Sequence, residues 1–383
     1  MDTILQKKLS IDKTKWTPVK FGEVVFEPKE SSKDPVADGI KHVVGLEHIE
    51  SENIHLRKSE TLEESTTFTK KFAIGDVLFG RRRAYLRKAS QASFNGICSG
   101  DITVFRAKEN LMPELLPFVV NNEKFFDYAI KHSAGGLSPR VKFKDLANYE
   151  FLLPPKDQQA QLAKLLWAMD EVIEKEKELF NKLKTNYLVI RKKKLNNKKF
   201  FEDRIEDLAK TSAGGTPSTK REDFWNGDVP WINSGKLKNK LISSPSKMIT
   251  KLGIEKSSAK LWDKNTTLIA LTGATTGEIG YLDFECSGNQ SIVAIKSNGK
   301  ILDKYFFYYL IEFKHRILQQ AIGSAQPHIN KDIVDKFKMR YPEIDEQSVL
   351  IKEFDRFVDL MQINLEKINF SQSLQKSLIN QIF

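Results

Sequence analysis

Residues 81–88 read RRRAYLRK. Fixed guanidinium groups beside an aromatic ring do one kind of chemistry well: they offer paired N–H donors to phosphate oxygens or to the O6/N7 edge of guanine. Read as a strand, side-chain alternation puts Arg81, Arg83 and Tyr85 on one face, with Arg87 following; the plain alternative is a solvated surface strand. Residues 214–237, GGTPSTKREDFWNGDVPWINSGKL, are rich in turn formers and carry two tryptophans. They read as an ordered loop, anchored by Trp225 and Trp231, that presents Thr216, Ser218, Lys220, Asn233, Ser234 and Lys236 from a fixed frame. LTGATTGEIG (271–280) adds Thr275 and Thr276.

Reactive chemistry is harder to place. LTGATTGEIG is rich in Gly and Thr but has no phosphate-binding Lys, and no GxxxxGK[ST] occurs. LLPPK (152–156) has neither the amide or acid before the prolines nor the aromatic after them that amino-methyltransferases use, so it reads as a hinge between a domain and a helix. No glycine-rich loop for S-adenosylmethionine stands out. His42, Glu47, His48 and His55 lack zincin spacing. Cys98 and Cys286 form no pair motif and read as core residues.

The chain has 383 residues and a net charge of +11, with globular proportions of apolar and charged residues. That balance favours a polyanionic partner, nucleic acid before a membrane surface. The first residues, MDTILQKKLSIDKTKW, lack the apolar core of a signal peptide, and no apolar run approaches the roughly 20 residues that span a bilayer. A cytoplasmic location is expected.

The elements that must position these residues come in two copies. SAGGLSPRVKFKDL (133–146) is echoed by AIGSAQPHINKDIV (321–334), with Pro139 and Pro327 lying 188 positions apart (327 minus 139). At that offset Cys98-Ser99-Gly100 falls on Cys286-Ser287-Gly288, Phe118 on Phe306, Phe125 on Phe313, Gly135 on Gly323, Val141 on Ile329, Pro154 on Pro342 and Gln159 on Gln347. The expected register runs without a gap from about residue 98 to 166, and 75–90 corresponds loosely to 265–282. Strands are expected at GDVLFGRR, GDITVFRA, TTLIALTG and SIVAIKSN, and amphipathic helices at 113–130 and 303–322.

A helix follows each copy. Leu162, Leu166, Met169, Ile173, Glu176, Phe180, Leu183, Tyr187 and Ile190 keep alternating four-three spacing, a coiled-coil stripe with one polar position. The stripe is about 43 Å long at roughly 1.5 Å per residue. From about Glu346 to Phe383, a second stripe runs through Phe354, Val358, Met361, Leu365, Ile368, Ile379 and Ile382, with Gln372 and Gln375 interrupting. Each stripe must be buried, and the two helices are natural antiparallel partners holding the copies apart.

A two-copy chain with divergent readers and helical spacers resembles the specificity subunit of Type I restriction–modification systems. The segment 214–237 looks like the start of a target-recognition domain of that family. GSAQPHINKDIV resembles the segment that ends one, and LSPRVKFKDLANYEFLLPPKDQQAQL (137–162) looks like the same exit from the first. The resemblance implies an α+β fold of two tandem target-recognition domains, each followed by a long helix, with the helices paired as an antiparallel coiled coil. The expected boundaries are 1–154 and 199–342 for the domains, 155–198 and 343–383 for the helices. It implies a non-enzymatic subunit that binds double-stranded DNA at a bipartite target and recruits methyltransferase and restriction/translocase subunits. No cofactor is expected on this chain; S-adenosylmethionine, Mg and ATP belong to the partners. On this reading Arg81, Arg83, Tyr85, Arg87, Thr216, Ser218, Lys220, Asn233, Ser234, Lys236, Thr275 and Thr276 are the candidate DNA contacts. Two alternatives stand beside it: a specificity module for a methyltransferase–nuclease without a separate translocase, and a coiled-coil adaptor that binds no DNA.

Overall fold

A computed structural model describes residues 11–62, 66–321 and 328–383. Gly323 and Pro327 of the second echo lie outside the described residues. The chain divides into two units: residues up to Glu178 together with Asn364–Phe383, and Leu179–Ile363.

Each unit contains the same three sheets. In the first, a five-stranded sheet runs Val25–Phe26, Ile102–Ala107, Val77–Gly80, Ala89–Ala92, His55–Leu56. A four-stranded sheet runs Glu60–Thr61, His42–Val44, Gly96–Cys98, Lys70–Phe72, and Thr17–Lys20 pairs with Glu150–Leu153. The second unit repeats the plan with Ala209–Ala213, Ile292–Ser297, Thr267–Ala270, Ile279–Leu282, Lys240–Ile242; then Lys247–Ile249, Trp225–Ile232, Cys286–Gly288, Leu261–Trp262; then Phe201–Arg204 with Lys338–Tyr341. The four strands read from β-branched content are all present. Their helices lie on aromatic cores, built in the first unit around Phe21, Phe79, Phe105 and Phe125 and in the second around Tyr305, Phe306, Tyr309 and Phe337. Burying such rings contributes most of the favourable folding energy.

Matching ladders correct the repeat register. Val43 and Val44 pair with Ile97 and Cys98, whereas Trp231 and Ile232 pair with Ser287 and Gly288. Cys98 therefore corresponds to Gly288, not to Cys286, and the offset over the sheets is 190 (288 minus 98). After the helices it returns to 188, because Val141 donates to Arg81 O as Ile329 donates to Leu271 O. The gapless register is off by two residues there, and the first copy holds the extra pair. Its expected single helix over 113–130 is broken into Leu116–Val120 and Glu123–Lys131, with Asn122 capping the second by accepting from Phe125 N at 2.8 Å. The second copy has no Asn-Asn there and runs unbroken through Asp303–Leu318. Both cysteines are buried, and burial pushes each thiol up to about 12.

The helices occupy Lys156–Leu195 and Ile344–Ile382. The predicted match of Gln159 and Gln347 has a physical basis. Gln159 accepts from Met112 N and donates to Pro154 O; Gln347 accepts from Leu302 N and donates to Pro342 O. Each buried amide latches its helix onto the preceding domain. Within the first unit Gln375 Nε2 donates to Leu166 O at 3.2 Å and Asn364 Nδ2 donates to Glu176. Within the second, Tyr187 packs on Phe354 and Phe357, and Lys194 pairs with Glu353. In both units residue numbers rise on one helix as they fall on the other, so the pairing is antiparallel.

The first stripe is buried or half-buried throughout, as its spacing requires. The second is not: Val358 and Leu365 are exposed, and Phe357 and Asn364 face inward in their place. Counting apolar residues misses this because a polar side chain, Asn364, takes the inward position opposite Glu176, the one polar member of the first stripe. Polar pairs at such positions set register at some cost in stability. Among the described residues no helix is long and apolar enough to cross a membrane.

Candidate nucleic-acid interface

In the first unit, strand Val77–Gly80 ends before the arginines, so the alternating face read from Arg81, Arg83 and Tyr85 does not form. Instead, Arg81 N donates to Asp101 O at 3.0 Å, and Arg81 O accepts from Val141 N at 3.0 Å. Arg83 and Arg87 both take left-handed backbone, φ 54° and 50°, on either side of a short turn, Ala84–Leu86. The physical reason is that the backbone at this corner pairs with the echoed exit segment rather than with another strand: Arg83 N donates to Pro139 O at 2.8 Å. The segment is repeated in the sequence because each copy needs it to close this corner.

The turn separates the four candidates. Arg81 and Arg83 stay at the corner, Tyr85 stands 52 % exposed at the tip, and Arg87 turns back into the unit. Arg87 lies near Glu52, Glu123 and Asp127 and stacks over Phe126. It lines a cleft of about 670 Å³ with Asn53, Asn121 and Lys376. Two arginines that the strand reading passed over complete the corner. Arg140 donates from Nε and Nη2 to Asp101 Oδ1 and Oδ2, at 2.7 and 3.3 Å. Arg82 donates from Nη1 to Asp101 Oδ2 at 3.3 Å and from Nη2 to Ser138 Oγ at 3.1 Å. Hydrogen bonds from Arg140, opposed by burial, hold the Asp101 carboxyl below the usual carboxylate range. Nearby Leu137 is 97 % exposed on the same loop. The corner is thus a basic cluster of Arg81, Arg82, Arg83 and Arg140, two of which, Arg82 and Arg140, hold the Asp101 carboxylate.

The second unit builds the same corner from different side chains. Leu271 N donates to Ser291 O at 2.8 Å, as Arg81 N does to Asp101 O. Gly273 and Gly277 take the left-handed positions of Arg83 and Arg87, φ 79° and 78°. A Cβ on Gly277 would meet Leu318 Cδ2 at 2.8 Å, so any larger residue there needs that leucine side chain to move, and glycine takes the left-handed backbone at the least cost. Thr272 Oγ1 donates to Ser291 Oγ at 2.8 Å, in place of the Arg82–Asp101 pair. Thr275 and Thr276 occupy the places of Tyr85 and Leu86, and Thr276 Oγ1 donates to Gly273 O at 2.7 Å.

The segment 214–237 is not a loop throughout: Trp225–Ile232 is a strand paired on both sides, which its Gly, Asn, Asp and Pro content concealed. Trp225 and Trp231 do anchor it, in an edge-to-face contact at 5.5 Å. Their indoles donate to the carbonyls of Ser218 and Gly215. Thr216 Oγ1 donates to Gln290 Oε1 at 2.6 Å, and Asn289 N donates to Ile232 O, which sets Asn233 beside the same loop. Lys220 is exposed, Asn233 begins the turn Ser234–Lys236, and Lys236 Nζ donates to Ser244 Oγ at 3.2 Å. Gln290, Ser291, Thr272 and His328 were not singled out from sequence. The corrected register finds them, as the partners of Gly100, Asp101, Arg82 and Arg140. In chemical terms the second corner offers hydroxyl, amide and imidazole groups where the first offers guanidinium groups.

Two histidines gather with acids: His48 with Glu47 and Glu60, His55 with Asp170 and Glu174. His55 Nε2 lies 2.7 Å from Asp170 Oδ2, and Arg57 pairs with Glu174, so these groups already serve each other.

The MjaIX specificity subunit of a Type I restriction enzyme from Methanocaldococcus jannaschii is 26 % identical to this chain over 174 residues, 43 % of this chain and 39 % of that protein. That match spans about two-fifths of the relative's length. The same organism's putative MjaX specificity subunit is 22 % identical over 382 residues, 91 % of this chain and 87 % of that one. The S subunit of a Type I restriction–modification system from M. genitalium superposes with a TM-score of 0.62 at 14 % identity, over 98 % of both chains, and shares the fold. Matches to the model of the Type I restriction modification DNA specificity domain cover residues 13–185 and 197–374, so this chain, with two such domains and a long helix after each, belongs to that family.

Proposed function

We propose that the chain reads a two-part DNA sequence, one part at each corner, and brings modification and restriction subunits to it. The observation that carries this reading is that one corner is built twice on the same backbone plan and filled with different polar side chains. A scaffold that is repeated while its presented groups diverge suits two independent sequence readers. Base edges in the major groove differ in donor and acceptor pattern, so guanidinium groups and neutral amides or hydroxyls select different bases. The excess positive charge supports binding to the phosphate backbone, which sets affinity and register.

On this proposal methylation and cleavage reside in the partners. A methyltransferase subunit carries S-adenosylmethionine, a restriction/translocase subunit carries Mg and ATP, and this chain holds no cofactor. The Thr216, Asn233, Thr275 and Thr276 side chains, with Arg81, Arg83 and Tyr85, are proposed to face DNA; Ser218, Lys220, Ser234 and Lys236 play supporting parts, while Arg87 stays engaged with Glu52, Glu123 and Asp127. Methylome sequencing of cells that express the chain with its modification subunits tests the reading. The expected result is one methylated motif in two specified parts with unspecified bases between them. Absence of any chain-dependent motif, with no DNA binding by the assembled complex, would support the adaptor instead.

A further inference from the structure

A guanidinium group has two edges that can each make paired, parallel hydrogen bonds: Nε with one Nη, and the two Nη atoms together. At Arg140 the first edge is taken, with Nε and Nη2 on the two oxygens of Asp101 at 2.7 and 3.3 Å. The remaining edge keeps parallel N–H donors on Nη1 and Nη2, and the side chain is 44 % exposed. Asp101 is fixed in turn. It is 22 % exposed, its N–H donates to Ser99 Oγ, its carbonyl accepts from Arg81, and Arg82 holds Oδ2 from the other side. Arg140 itself is bridged through backbone N–H and C=O to Ala134. A long, flexible side chain is therefore set in one direction before any ligand arrives, which lowers the entropy lost on binding.

We propose, resting on the DNA-reading function above, that Arg140 reads a guanine in the first half of the target and that Asp101 is the residue that positions it. The free Nη1–Nη2 edge matches the O6 and N7 acceptors of guanine, the pairing that arginine makes best in the major groove. The second unit supplies an internal comparison. Its counterparts of Arg140, Asp101 and Arg82 are His328, Ser291 and Thr272, which retain the backbone frame and lack the clamp. Guanine selection by this device belongs to the first half only.

The test uses the chain assembled with its modification subunits, and measures methylation rates on duplexes carrying each base change across both halves. The wild type should show one guanine in the first half whose replacement slows methylation by about tenfold to a hundredfold. Arg140→Ala and Arg140→Lys should each erase that preference and leave the second half unchanged. Asp101→Asn should erase most of it while binding non-specific DNA at least as tightly, because a negative charge is gone; Asp101→Glu should restore part. A purely structural role for Asp101 would lower every rate together. Replacing the same guanine by 7-deazaguanine removes N7 without altering the protein. It should slow the wild type and leave Arg140→Ala unaffected. The inference is overturned if no first-half guanine is sensitive to 7-deazaguanine. It is equally overturned if Arg140→Ala weakens all duplexes evenly with a shallower salt dependence, the mark of phosphate binding. A wild-type complex that methylates all duplexes alike would instead remove the DNA-reading function itself.

Discussion

Replacing Leu166 by Asp strongly destabilises the first unit, while the same change one residue earlier, Leu165→Asp, leaves its stability nearly unchanged. Leu166 is fully buried in the first unit's core, whereas Leu165 is 47 % exposed on the same helix. A carboxylate at 166 loses its hydration inside an apolar core, and the cavity left by the leucine adds to the cost. Losses of this kind reach about 4–5 kcal/mol or more, against a total stability of about 5–15 kcal/mol for a domain. A solvated change such as Leu165→Asp stays within about 0.5 kcal/mol. Chemical denaturation followed by circular dichroism separates the two. Equal midpoints for both variants would mean that this helix does not pack as described.

Removing Arg81, Arg82, Arg83 and Arg140 together lowers the affinity of the assembled complex for its target by at least about a hundredfold at physiological salt. The slope of log affinity against log salt becomes shallower by about 0.9 for each phosphate that is no longer neutralised. Arg87→Ala is the matched control. Its charge is spent on Glu52, Glu123 and Asp127 inside the unit. Its loss leaves the salt slope unchanged and costs about 1 kcal/mol or less in stability. Titration of fluorescent duplexes at several salt concentrations checks both. A slope that falls for Arg87→Ala and not for the quadruple variant would reverse the assignment.

The contrast between Arg83 and Arg87 marks where sequence reading stops. Composition and β-branched content located four of the strands, and four-three spacing located both long helices, because those signals are local and periodic. The path of 81–88 is not local. It is set by hydrogen bonds to residues 101, 139 and 141, and left-handed backbone at two arginines leaves no sequence mark such as glycine would. The same limit explains the misassigned cysteines. Identical Cys-Ser-Gly triplets align well on paper, but the ladder places Cys98 opposite Val44 and Gly288 opposite Ile232. A two-residue difference in the intervening helices is invisible until both copies are folded. Asn364 was missed for a related reason: its inward position is decided by Glu176 across the pair and not by its own hydropathy. The residues proposed to read bases were half legible. Arginine abundance pointed to the corner for which base reading is proposed, but Arg140 entered only through the exit segment and Asp101 only through its partners.

The central claim is that two units of one chain read two separate parts of a DNA sequence. Exchanging residues 1–150 for the matching segment of another family member, and mapping methylated bases in cells that also express the modification subunits, tests it most directly. The account predicts that the half of the motif read by the first unit changes while the other half keeps its sequence. A chimera that alters both halves, or neither, would contradict it.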